Sequence, residues 1–137
     1  MDQKTVAIGD LEGTFRSLRE PLGAVAFGIA ALVLPPGTEQ VAHYHEVQDE
    51  VYFVHQGRAG VEIDGVRHEL GPGEAVYVPS TTPRQLWNAG ESELIVLAVG
   101  ASGGYVDGDA RLVDDADAAR VGAMLRGDVE GIRRVEP

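Results

Sequence analysis

Apolar and polar residues change places at short intervals along this chain, and glycine or proline punctuates nearly every change. Residues 59–63 show the rhythm best: Ala59, Val61 and Ile63 alternate with Gly60 and Glu62, the two-residue period of a half-buried strand. Asp64-Gly65 then signals a tight hairpin into residues 66–70, and Gly71-Pro72-Gly73 turns the chain into 75–78. Residues 50–54 (EVYFV), 84–87 and 94–99 read as further strands, and 41–45 as a short one. Residues 25–34 are apolar on both faces, as in a covered strand; helix competes there because alanine is plentiful, and Pro35-Pro36-Gly37 stops either. Nearer the start, 5–8 is β-compatible before a turn at Gly9-Asp10, and 11–18 reads as a loop or edge strand. About eight to ten strands at this spacing predict an all-β sandwich or barrel.

After Gly100 the rhythm changes. Residues 105–113 form at most a short irregular strand, and Asp114 or Asp115 is placed to cap a helix over 116–125. The expected division is an N-terminal arm with strands (1–24), a barrel (25–100) and a C-terminal extension with a short helix (101–137).

Composition narrows the function classes. A chain of 137 residues suits one domain with one core. Eleven Lys and Arg against 22 Asp and Glu give a formal charge of -11, a poor match to nucleic acid or an anionic membrane. No apolar run approaches a membrane span and no export signal is legible, so the cytoplasm is the expected location. The absence of cysteine excludes disulfides, thiolate metal sites and a cysteine nucleophile.

The chemistry gathers in GTEQVAHYHEVQDEVYFVHQG, residues 37–57. His43 and His45 stand two apart, so on a strand both imidazoles aim at one spot. Glu50 opens the next run and reaches the same point if the two strands pair. Two imidazoles and a carboxylate suit a divalent first-row transition metal (Fe, Zn, Ni or Mn) and match the facial triad of non-haem iron sites. The competing reading is two turn histidines and a solvated acid. Alternation puts Val41 inward with the histidines, Tyr52 and Val54 inward with Glu50, and Arg84, Leu86 and Asn88 on one shared face.

These residues closely resemble the cupin family. Its first motif is met throughout by Gly37, His43, His45, Glu50 and Gly57. In its second motif Gly73, Pro79 and Asn88 match, Thr81 stands where glycine is usual, and Arg84 stands where the last metal histidine is usual. The resemblance implies a small double-stranded β-helix, or jelly-roll barrel, often with a metal inside and often a homodimer. Its enzymes act on small carbonyl, acid or phenolic compounds as oxygenases, isomerases, cyclases or decarboxylases. A non-catalytic ligand-binding barrel, possible without metal, and a purely structural homodimer are the other classes.

Arg84 is the departure that matters, because a guanidinium offers only donors and cannot ligate a metal. It can turn outward and leave a three-ligand site open. It can grip a substrate carboxylate bidentately. Or it can pair with Glu50 in a barrel without metal. The outward placement ranks first on sequence grounds. Tyr52 and Arg84 are the candidate catalytic residues, with Tyr52 as general acid or substrate-orienting hydroxyl. Gln48 is a candidate neutral oxygen donor to the metal, and Gln40 a mouth residue. His55, at odd parity to Glu50, should face away, and His68 should meet solvent.

Overall fold

The computed structural model describes residues 4–113 and 132–133. In chain order the elements are a 3₁₀ turn (Ile8–Asp10), β1 (Phe15–Ser17), α1 (Arg19–Leu22), β2 (Gly28–Leu34), β3 (Thr38–Glu39), β4 (His43–His45) and β5 (Asp49–Gln56). They continue with β6 (Ala59–Ile63), β7 (Val66–Leu70), β8 (Ala75–Val78), β9 (Arg84–Asn88), β10 (Leu94–Ala101), β11 (Ala110–Leu112) and β12 (Ile132–Arg133). One sheet has the order β1-β2-β10-β5-β8. The second has the order β11-β4-β9-β3-β12, with β6 joining β9 and β7 joining β6. Pairing is antiparallel throughout the two sheets. This is the expected double-stranded β-helix, a jelly roll.

The period of two explains how the sheets close on one another. Tyr52 and Val54 of β5 are buried while Phe53 and His55 are exposed. On β9, Arg84, Leu86 and Asn88 are buried and Gln85 and Trp87 only partly so. Leu94, Val96 and Ala98 repeat the pattern on β10. Apart from Arg84 and Asn88, these inward residues join Leu32, Leu34, Ala59, Val61 and Val78 in one core drawn from both sheets. Asn88 closes its end of the barrel by donating to the carbonyls of Leu34 (2.9 Å) and Ser92 (2.8 Å).

One turn was written in local sequence, and one cross-strand contact depends on a glycine. Asp64 and Gly65 both adopt positive φ (49° and 79°), joining β6 to β7 with the two-residue hairpin geometry that matches strand twist. Gly60 is opposite Trp87, and a Cβ there would fall 2.0 Å from the indole Cε2, so only glycine admits the ring.

Other expectations needed changing. Residues 5–8 form no strand: the chain turns at Ile8–Asp10, and the Ile8 carbonyl accepts from Arg16 Nη1 (2.9 Å) and the Leu11 N–H (3.1 Å) instead of a neighbouring strand. The covered segment is a strand as expected, and only its start moves, to Gly28. Its seven residues pair with β1 and β10, which satisfies the backbone that a helix would have satisfied internally. The one-turn helix α1, ended by Gly23 in the left-handed region (φ 66°), has no periodic signal in so short a run. The edge strand expected within 11–18 is β1, and the irregular strand within 105–113 is β11. The helix expected over 116–125 lies outside the described residues. Among those residues no helix is long and apolar enough to cross a membrane.

Candidate functional site

The open end of the barrel holds a cavity of about 460 Å³. His43, His45, Glu50, Tyr52, Gln40 and Gln48 are part of its polar wall, with Arg19, Glu20 and Asp109 also lining it, and Phe15, Leu32, Val41, Ala98, Val106 and Leu112 are among its apolar neighbours. His43 and His45 enter from β4 and Glu50 and Tyr52 from β5, so alternation in two strands from different sheets makes the site. One ligand atom from each of His43, His45 and Glu50 can be chosen so that all lie within 4.8 Å of one another. The three therefore form a candidate metal-binding triad.

Each donor is prepared differently. His43 Nδ1 lies 3.2 Å from the Val41 carbonyl, which accepts its proton and leaves Nε2 as the bare nitrogen. Burial, opposed by the attraction of Glu50, holds the His43 imidazole below its ordinary value of 6.5, which favours the neutral form that a metal needs. His45 is buried with no hydrogen bond of good geometry at either nitrogen. Its Nε2 lies 3.5 Å from Glu50 Oε2 and its Nδ1 3.6 Å from Asp109 Oδ2. For Glu50, burial opposes ionisation, but His45, the charge of His43 and the Tyr52 hydroxyl outweigh it and hold the carboxyl below 4.5. A neutral His43 imidazole, an ionised Glu50 carboxylate and the unpartnered nitrogens of His45 are the donor set that a divalent cation completes.

Arg84 does not turn outward. It is the register partner of His43, so the two side chains share the interior face. Its side chain is fully buried, and its Nη1 donates to Glu50 Oε1 at 3.1 Å. Nε donates to the Thr82 carbonyl (2.9 Å), and Nη2 to the carbonyls of Pro79 (2.7 Å) and Ser80 (3.1 Å). With Nε and Nη2 committed to backbone, the fork has no free edge for a substrate carboxylate, and Arg84 is not among the cavity-lining residues. Of the three placements, the pair with Glu50 is the one present. The guanidinium holds one carboxylate oxygen from behind and leaves Oε2 toward the histidines.

Tyr52 lies inside as expected, only 1% exposed, with no well-formed hydrogen bond at its hydroxyl. Burial pushes its pKa well above the ordinary value of 10.0, with the Glu50 charge adding to the effect, so it remains a phenol and a donor. Gln48 lines the cavity, but its Oε1 accepts from the Val106 N–H (3.1 Å), so that oxygen is engaged in holding a loop and not free for a metal. Gln40 is buried with its Oε1 unpartnered. His55 and His68 are exposed, away from the site. Sequence reading missed Asp109. It lies more than sixty residues from its contacts at Val47 and Gln48, beyond the reach of any periodic signal.

A curated relative from Streptomyces cyaneus, the polyketide synthase CurC, is 29% identical over 111 residues, covering 75% of this chain and 72% of the relative. An uncharacterized protein of Methanocaldococcus jannaschii is 29% identical over 69 residues, half of this chain, which spans 55% of that relative's length. Among solved structures, a cupin protein from Bacteroides fragilis superposes with a TM-score of 0.66 at 22% identity, covering 79% of this chain and 92% of its own. The family model of the cupin domain matches residues 31–100, the span holding β4, β5, β9 and the triad; the chain belongs to the cupin family.

Proposed function

We propose that this cupin is a metal-dependent enzyme acting on a small enolisable carbonyl or phenolic compound, with His43, His45 and Glu50 as the metal ligands. The observation that carries the reading is the convergence of three largely enclosed donors, with no well-formed hydrogen bond at either nitrogen of His45, on a cavity large enough for a small molecule. A divalent first-row ion (Fe, Zn, Ni or Mn) would supply Lewis acidity for isomerase, cyclase or decarboxylase chemistry, or dioxygen chemistry for an oxygenase. Tyr52, held as a neutral phenol, donates a hydrogen bond or a proton to a substrate oxygen. The apolar wall orients the rest of the molecule and excludes water. Arg84 acts through Glu50, fixing one oxygen so that the other keeps its direction.

The name of the Streptomyces relative supports the substrate class. Carbonyls separated by a single carbon acidify the C–H between them, which is the chemistry that a Lewis acid and a phenol together promote. A second copy of the chain is the proposed partner, through the outer face of β5 and β8 where Phe53 and Tyr77 are exposed; a sizing column tests it. The cytoplasm is the proposed location.

The Arg84–Glu50 pair favours one other reading, a metal-free barrel that binds a small molecule without transforming it. Elemental analysis separates the two. Protein produced with Fe, Zn, Ni and Mn supplied should carry near one ion per chain, and a His43→Ala, His45→Ala variant should carry none. Wild type that stays metal-free under those conditions overturns the enzymatic reading. A colour and oxygen-uptake screen on the loaded protein then sorts the reaction types.

A further inference from the structure

The two histidines of the triad are oriented by unlike means. For His43 the partner is local, the Val41 carbonyl two residues back on the same segment. For His45 the group facing Nδ1 is the carboxylate of Asp109, which immediately precedes β11 and is 6% exposed. Its Oδ2 also accepts from the backbone N–H of Gln48 (2.8 Å) and Val47 (3.2 Å), and Oδ1 from Val47 (3.1 Å). The carboxylate is thus fixed by the loop that runs from His45 toward Glu50. The strand pairing Ala110↔His45 sets the backbone next to it in register.

We propose that Asp109 is a positioning residue that holds His45 in the Nδ1–H tautomer, turning its Nε2 toward Glu50 and the metal position. Both ring nitrogens face a carboxylate. Glu50, 3.5 Å from Nε2, is already paired with the Arg84 cation, whereas Asp109, 3.6 Å from Nδ1, accepts from backbone N–H groups of Val47 and Gln48. The proton is therefore better held on Nδ1, which leaves the lone pair on Nε2. Val41 does the same for His43, so both rings present Nε2 to the centre. The proposal rests on the metal reading above for its consequence, but the tautomer is a property of the protein alone. It also gives residues 102–109 a task, since the segment that closes one side of the cavity delivers the group that sets a ligand.

Histidine-labelled, metal-stripped full-length protein at about pH 8, where imidazoles are neutral, tests it by long-range proton–nitrogen NMR. With four histidines in the chain, a His45→Gln variant assigns the signal. The expected result is a protonated Nδ1 and bare Nε2 on His45 in wild type. Asp109→Asn keeps an oxygen for Val47 and Gln48 but can turn an N–H₂ toward the ring, and it should reverse the tautomer. Cobalt(II) affinity of that variant should fall by about 10- to 100-fold, with Asp109→Glu restoring part of it. A protonated Nε2 in wild type overturns the proposal, as does a folded Asp109→Asn protein with tautomer and affinity unchanged. If the variant does not fold, the wild-type tautomer decides. If wild type takes up no cobalt, the metal reading falls while the tautomer still judges this one.

Discussion

The two ends of the barrel interior are built by the same strands with opposite chemistry. Strand β5 runs inward through Glu50, Tyr52 and Val54, from a charge to a phenol to an aliphatic. Strand β9 carries Arg84, then Leu86, then Asn88. At the closed end, Leu34, Val54, Val61, Leu86 and Leu94 are fully or almost fully buried against one another. At the open end, inward positions are spent on two imidazoles, a carboxylate and a guanidinium, and several polar atoms have no partner. The alternation that folds the chain is blind to this change. It asks only that a side chain face inward, so one pattern delivers a core and a reactive site in the same strand.

Substitutions on β9 should therefore fail for different reasons. Arg84→Met removes the cation behind Glu50 and strands a buried carboxylate, which costs about 3–5 kcal/mol. The signature is recovery: adding Glu50→Gln should return much of the loss in a double-mutant cycle read by urea unfolding. Additive losses would mean that the two ends do not differ in kind. Two residues along, Leu86→Ala should cost about 2–5 kcal/mol as a cavity, with no recovery from any change at Glu50.

Acid sharpens the contrast with a smaller effect. His43 is held below 6.5 in the folded chain, so as pH falls below 6.5 the unfolded chain takes up the proton first and stability drops. Glu50 is held below 4.5, so its contribution is present above that value and is lost as pH falls through its folded value. Metal-free protein should lose stability below about pH 6.5 and more steeply below about 4.5. His43→Gln should flatten the upper part alone. A wild-type profile that is level from neutral pH down to about 5 would show that the open end is not under this strain.

Much of this was legible because it is local. The HxH pair, the parity of Tyr52 and Val54, the Asp64-Gly65 turn and the outward His55 each depend on neighbours within a few residues. Arg84 was misplaced because its charge was weighed above its parity: it shares the buried face of Leu86 and Asn88, it is in register with His43, and three nearby backbone carbonyls offset its burial. Asp109 was invisible for another reason, since an acid in a glycine-rich loop looks solvated until strand pairing brings it to His45. Residues 5–8 misled in the opposite way. Their side chains suit a strand, but the Ile8 carbonyl is taken by the Arg16 side chain and the Leu11 N–H.

One contact has a practical side. Trp87 is the chain's sole tryptophan, seated over Gly60 on the outside of β9 with Arg67 5.6 Å from its ring centroid. It sits on the strand that carries Arg84 and Leu86, yet it points away from the cavity. Its emission is thus a built-in optical gauge of whether β9 is docked, and it should stay quiet when the interior merely fills.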